Sequence, residues 1–503
     1  MEDVSVSSFK LGEVDGKKEA RDPDFEQLFY LGDGYYDELE EQNKYIIIGR
    51  KGTGKSVLIN YYKKQIDKKD NAFCKIISVP SFMKKKLRTF DYDKLNTEEL
   101  EEFWKYVLLR ELSGLILDNK VPLLKGLKKL NFKNHDKSID SLLELKEKEL
   151  ENIGKINGKL ANSFAGVSAE VETKKSVVYK TKKYYDVIDE LETTVISFLE
   201  DSESEYYLIF DDLEELDKKF KGDKEYFYDV VLSFFMALEY LNDLFYECGT
   251  KSKIITTIRQ DLLDIINLDS HNLNKIINSS SIKIEWYSPL SKENPEETQI
   301  MKMLLHKIRK STPTYEKLDN AELYEKVFPS IKDTSTTQKN NCLEYLMVRS
   351  FGRPRDLILF LKVYQKLYKN DLSFDYSNFD KCLRSYSNSF YTEIVNEINL
   401  SPYKEDILTT IEVIKKMQNR FFKFNDLQKF YEQNKKIYSW NIPSINKSCV
   451  DLYQLGVIGN CTIYPGKKKK NTYWFSYRDG SPKEPDMNKD FSVHLALLNN
   501  FSL

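Results

Sequence analysis

The stretch that most constrains the fold is Tyr45 to Leu58, YIIIGRKGTGKSVL. Residues of strand character run into a loop, and helix-forming residues follow. The loop, Gly49-Arg50-Lys51-Gly52-Thr53-Gly54-Lys55-Ser56, satisfies G-x-x-x-x-G-K-[ST]. Glycines let backbone N–H groups curl around phosphate oxygens. The lysine reaches the outer phosphates, and the hydroxyl of Ser56 serves Mg²⁺. The helix that begins here adds the positive end of its dipole. We therefore expect ATP with Mg²⁺ on Gly49, Gly52, Thr53, Gly54, Lys55 and Ser56. The alternative is a glycine turn with a surface lysine, which the apolar strand directly upstream disfavours.

A second chemical stretch is Tyr206 to Leu216, YYLIFDDLEEL. An apolar strand ends in Asp211-Asp212. A carboxylate at such a tip, beside a phosphate loop, is where Mg²⁺ takes its protein acid, and we assign that to Asp211. The next acid would orient or deprotonate an attacking water. Asp212 holds that slot, with Glu214 and Glu215 as competitors. Aspartate has the shorter reach, so slow hydrolysis is expected. A further strand, Lys253 to Ile258, ends in Thr256 and Thr257 and leads into Arg259. In a doubly wound sheet this tip faces the phosphates. We read Thr257 as a polar sensor. Arg259 is read as a phosphate-facing or subunit-bridging cation, against a salt bridge to Asp261 or Asp264.

With strands at 75–80 and 282–286 as well, the acidic strand is third in sequence. This fits the ASCE branch of phosphate-loop proteins, which inserts a strand between the two chemical ones, and disfavours a nucleotide kinase. The expected fold class is α/β, a parallel sheet with a helical lid and a C-terminal winged-helix domain. Expected divisions are an arm over 1–24, a core over 25–290 with an insertion at 119–185, a lid over 291–385, and the winged-helix region over 386–503. The segment 25–43 is expected beside the nucleotide base. In the insertion, Phe164, Val167, Ala169 and Val171 suggest short strands, a place for a partner contact or a mobile decoration. The run Lys84 to Arg88 reads as a solvated face, with phosphate binding as the sharper alternative.

In the lid, Phe351-Gly352-Arg353-Pro354-Arg355-Asp356 opens a helix at its proline. A cation there opposes the helix dipole, which suggests that Arg353 and Arg355 reach a phosphate. The bland reading is an arginine pair bonded to Asp356 or neighbouring acids. Beyond Tyr386, helices precede a hairpin whose tip carries Lys467 to Lys470. That is the winged-helix layout, in which Asn446, Lys447 and Ser448 would face DNA and the lysines its backbone. Winged helices also bind proteins.

The 503 residues carry a net charge of only −2, so any nucleic-acid contact must come from a local patch. Six cysteines show no C-x-x-C, and the four histidines form no metal motif, so reduced thiols are expected. No stretch has a signal-peptide layout, and no apolar run approaches the roughly 20 residues of a transmembrane helix. A cytoplasmic protein with no membrane contact is expected.

These stretches together resemble bacterial stand-alone P-loop ATPases, through IIGRKGTGKS at 47–56, FDDL at 210–213, the Arg-Xaa-Asp segment at 259–261 and GRPRD at 352–356. The layout is also similar to AAA+ initiator ATPases and to the signal-transducing STAND class. The resemblance implies an oligomerising ATPase switch with an effector or nucleic-acid partner, often in antiphage operons. It would make Arg353 or Arg355 a sensor arginine. Asp212 departs from the glutamate usual in AAA+ proteins, and no solenoid repeat follows. The competing reading is a nucleotide-stabilised scaffold with little hydrolysis.

Overall fold

Runs of β-branched residues build the sheet of the first unit, which spans Gly34–Ile284. A computed structural model describes residues 4–86, 97–119, 188–189, 191–218, 224–266, 271–286, 294–329, 331–332, 339–399, 401, 403–464, 471–478 and 484–503. The strands are β1 (Ile46–Ile48), β2 (Ala72–Ser78), β3 (Glu205–Asp211), β4 (Lys253–Ile258) and β5 (Ser281–Lys283). All pairings are parallel, in the order β2-β3-β4-β1-β5. The residues of β1 and β4 are buried throughout, as a sheet covered on both faces requires.

This order puts β4 between β1, which leads into the phosphate loop, and β3, which carries the acids. The fold is therefore α/β, the P-loop sheet of ASCE type. Strand β2 ends two residues short of the expected Pro80, because Val79 and Pro80 open a helix, Val79–Lys86. The long helices α2 (Thr97–Asp118) and α3 (Lys224–Glu247) follow the phosphate-loop helix α1 (Lys55–Ile66). Helices α2 and α3 pack through Trp104, whose indole N–H donates to Val230 O at 3.0 Å and whose ring meets Phe234 edge-on. The buried Lys253 ammonium donates to the carbonyls of Leu39, Glu41 and Lys44, tying the segment before β1 to β4. The insertion falls almost wholly outside the described residues, as do the side chains of the Lys84–Arg88 run.

The second unit comprises Met1–Asp33 and Glu285–Leu503. Its N-terminal segment is not a loose arm. Val6, Phe9, Leu11, Phe25 and Leu28 are buried, and a buried Lys307–Glu19 ion pair anchors the chain to α4 (Gln299–Ser311). Polar composition hid these few apolar anchors. The expected core segment 25–43 is accordingly split, with residues 25–33 in this unit.

Helices α5 (Pro354–Leu367) and α6 (Phe379–Ile398) form the lid region, with a short antiparallel pair, β6 (Ile331–Lys332) and β7 (Lys339–Asn340), before them. Beyond lie α7 (Lys404–Met417), β8 (Phe421–Lys423), α8 (Phe424–Asn434), α9 (Ile445–Gln454), β9 (Ile458–Thr462), β10 (Thr472–Trp474) and β11 (Asp490–Val493). The order of helices and hairpin is that of a winged helix. The sheet has four strands rather than two, β10-β9-β11-β8, because β11 returns between β9 and β8. The lysine tip at 465–470 lies outside the described residues. No helix among the described residues is long and apolar enough to cross a membrane.

His494 closes this unit's aromatic core. It is fully buried, stacked on Phe390 and edge-on to Phe351. Its Nδ1 accepts from Ala496 N at 3.1 Å, so the proton resides on Nε2, which meets the Tyr477 hydroxyl at 2.9 Å. Burial, with the charge of Arg478, lowers its pKa from 6.5 to about 3. A depressed folded value means stability is held above 6.5 and lost as pH falls towards 3. We predict a loss of about 2 kcal/mol at pH 5 from this group. Denaturant midpoints measured between pH 7 and 5 should fall in the wild type, and His494→Phe should flatten that slope.

Candidate active site

The phosphate loop is shaped by glycines where the backbone turns left-handed. Gly52 has φ 86° and Gly54 φ 104°, conformations that side chains with a Cβ rarely adopt. At Gly49 the restriction is space, since an added Cβ would stand 2.5 Å from Thr53 Oγ1. Thr53 in turn donates to Arg50 O at 2.9 Å, drawing the loop closed. Gly54 is the N-cap of α1, and no side chain caps the helix. Its first turn thus presents backbone N–H groups of the kind that bind phosphate. The Lys55 ammonium is buried and folds back to donate to Gly49 O at 2.7 Å. A phosphate oxygen could take the place of that carbonyl.

Strand order brings the acid to this loop. Asp211 ends β3 and is 1% exposed. Its Oδ2 accepts from Ser56 Oγ at 3.2 Å, and its Oδ1 from Thr257 Oγ1 at 2.8 Å. Thr257 also accepts from the amide of Asp212 at 3.2 Å. The hydroxyl-bearing tip of β4 therefore braces β3 from the side. Among the described residues no cluster of three or more His, Cys, Asp or Glu could hold a metal. A divalent ion here would draw on Ser56 and Asp211, a hard oxygen pair suited to Mg²⁺ when phosphates complete the shell.

Asp212 takes φ 65°, a left-handed value uncommon outside glycine. The chain breaks there from strand into a tight turn, Leu213–Lys218. Leu213 and Leu216 are buried and seat that turn. Between them Glu214 is half-buried as a residue, but its Oε2 is sealed from solvent and has no hydrogen-bond partner among the described residues. Burial pushes its pKa from 4.5 up to about 7, against the pull of Lys55, of its own backbone amide and of Arg259, and with the push of Asp212. Arg259, at the end of β4, is itself buried. Sequence alone left Glu214 as one acid among several. The signal in it was the leucine pair three apart, which seats the turn.

The structure thus brings together Lys55, Ser56, Asp211, Asp212, Thr257 and Arg259. Arg353 and Arg355 belong to the other unit. There Arg353 is buried and doubly bonded to Asp356, at 3.0 and 2.8 Å, with Glu397 at 3.7 Å. Arg355 pairs with Glu393 at 3.1 Å and donates to Val14 O. Asp356 lies in the first turn of α5 and also accepts from Phe351 N. That carboxylate satisfies the helix dipole and offsets the cation, so both arginines are paired with acids here, Arg353 with Asp356 and Arg355 with Glu393, as in the blander of the two sequence expectations.

Residues 298–395 match the family model described as a FunZ-associated C-terminal helical domain. No curated protein matches the chain. Among solved structures, the Orc1 protein of Aeropyrum pernix in complex with DNA is similar at 10% identity, with 95% of this chain and 94% of that one covered and a TM-score of 0.37. The Orc2 protein of the same organism, in ADPNP–ADP complexes, shows 12% identity over 93% and 89%, with a TM-score of 0.40. Cdc6p from Pyrobaculum aerophilum shows 11% over 99% and 96%, with a TM-score of 0.30.

Thr257→Val removes the hydroxyl from the buried Asp211 and Asp212 contacts while keeping the volume. We predict a destabilisation of about 1–3 kcal/mol, the range for an orphaned buried acceptor. Denaturant unfolding should show it. Thr256→Val should lose less, since among the described residues the Thr256 hydroxyl donates only to Phe210 O, at 3.2 Å.

Proposed function

We propose that the chain binds and hydrolyses ATP as a molecular switch, and that it acts as a homo-oligomer on an effector protein or on DNA. One observation carries the nucleotide reading. Under the phosphate loop, Asp211 is held by Ser56 and Thr257 from two neighbouring elements. A buried carboxylate held by two hydroxyls, one of them from the end of the phosphate loop, supports a phosphate-and-metal site over a purely structural one. In it, Gly49, Gly52, Thr53, Gly54 and Lys55 would cradle the phosphates, and Ser56 with Asp211 would hold Mg²⁺. The ion would neutralise charge developing on the phosphates. Burial of Arg259 near Glu214 supports its phosphate-facing reading over a subunit-bridging one.

Arg353 and Arg355 hold α5 to α6 in this structure, and a phosphate contact from either would require those ion pairs to open. The DNA arm rests on the winged-helix order of elements and on Lys467–Lys470. The antiphage setting and the cytoplasmic location rest on the sequence resemblance and composition alone. The scaffold reading, with ATP bound and barely hydrolysed, draws on Asp212, whose left-handed backbone makes it a turn residue.

Lys55→Ala should weaken ATP affinity by about tenfold or more, roughly 1.4 kcal/mol. Unchanged affinity and unchanged turnover would remove the site assignment. Phosphate release separates switch from scaffold: wild-type turnover no higher than that of an Asp211→Ala, Asp212→Ala double variant identifies the scaffold. A salt-sensitive shift of duplex DNA that is lost when Lys467–Lys470 are neutralised supports the DNA arm.

A further inference from the structure

Glu214 sits three residues beyond Asp211, past the position from which a water-orienting acid is expected. Its Oε2 is closed off from solvent and lacks a hydrogen-bond partner among the described residues. An orphaned buried acceptor of this kind is rare and destabilising, and it calls for a donor that arrives from outside. The groups that act on its carboxyl are Lys55 from α1, its own backbone amide, Arg259 from the end of β4, and Asp212 from its own turn. Two of these are the cations assigned to the phosphates. The charges that would meet a γ-phosphate thus also act on Glu214.

Asp212, the nominal candidate, is occupied differently. Its backbone is the left-handed pivot of the turn, and its amide is tied to Thr257 Oγ1. The pivot ends the strand one residue after Asp211. Leu213 and Leu216 then clamp the turn that carries Glu214. The longer glutamate also regains the reach that aspartate lacks.

We infer that Glu214, rather than Asp212, is the carboxylate that orients and deprotonates the attacking water in this chain. The inference rests on the ATP-hydrolysis reading above. In the step, the water oxygen bonds to the γ-phosphorus, and the bond from that phosphorus to the β–γ bridging oxygen breaks. ADP leaves with that oxygen and its electron pair. The proton given up by the water passes to Glu214 and then to solvent or the released phosphate. A carboxylate held near neutrality by burial suits that exchange, since it can both take and return a proton at working pH.

The test uses the full chain and its variants Glu214→Gln, Glu214→Asp and Asp212→Asn. Binding of Mg-ATP is measured by calorimetry, and phosphate release is followed from pH 5.5 to 8.5. Glu214→Gln should bind ATP within about threefold of wild type while turnover falls by about a hundredfold or more, the lower range for loss of a general base. Retained binding also shows that the variant folds. Asp212→Asn should keep turnover within about tenfold of wild type, less than a lost general base removes. The wild-type rate should rise with pH through neutrality. That limb should vanish in Glu214→Gln and persist, at lower rate, in Glu214→Asp; a purely structural role would not move it. Normal turnover in Glu214→Gln, or the large loss in Asp212→Asn instead, overturns the inference and leaves ATP hydrolysis intact. A wild-type chain that binds ATP without releasing phosphate overturns it in favour of the scaffold. Absence of ATP binding in the wild type overturns both readings.

Discussion

The candidate site depends on one buried carboxylate. Asp211 is 1% exposed at the end of β3, and such a charge is tolerated only when its lone pairs are met. Ser56 meets one side from the first turn of α1, and Thr257 meets the other from the tip of β4. Those two hydroxyls come from elements that lie far apart in sequence and are brought together by the order β2-β3-β4-β1-β5. The same contacts fix where the strand must stop, because Thr257 also holds the next amide. The turn at Asp212, the clamp by Leu213 and Leu216, and the seat of Glu214 all follow from that stop. Geometry that satisfies one buried charge thus places a second acid beside the loop.

The second unit solves a similar problem with a different outcome. Arg353 is buried, and its planar fork is matched by Asp356 three residues on. A pair like this is specific rather than strongly stabilising, since desolvation takes back much of the attraction. Its value here is in register. Asp356 ties the start of α5 to Phe351, and Glu397 ties the arginine to α6. Phe351 in turn meets Phe390, Tyr477 and His494, so the lid and the C-terminal sheet share one aromatic core. Holding His494 neutral inside that core makes the unit sensitive to acid.

Long and regular features were legible in the sequence. The strand Lys253–Ile258 stands where β-branching places it. The phosphate loop was legible because glycine spacing is itself a statement about backbone conformation. The packed N-terminal segment was not, because a few anchors such as Val6 and Phe9 are diluted among charged residues. Nor was the four-stranded C-terminal sheet, since β11 pairs across a distance that no local pattern encodes. Glu214 was visible only as one acid in a run. Its burial depends on which side of a left-handed residue it falls, and aspartate at φ 65° leaves no mark in a sequence.

By itself the sequence determined the chemistry on offer: a loop that can cradle phosphates, two acids after an apolar strand, and a threonine and an arginine at another strand's end. These are local properties, set by residue type and spacing over a dozen positions. Only the tertiary structure decided which of those groups meet. Pairing β4 between β1 and β3 put Thr257 on Asp211, and burial left Glu214 with its Oε2 unbonded among the described residues while Arg353 found Asp356. The reason is that desolvation and hydrogen bonding depend on neighbours in space, and for a parallel sheet those neighbours are separated by whole helices of chain.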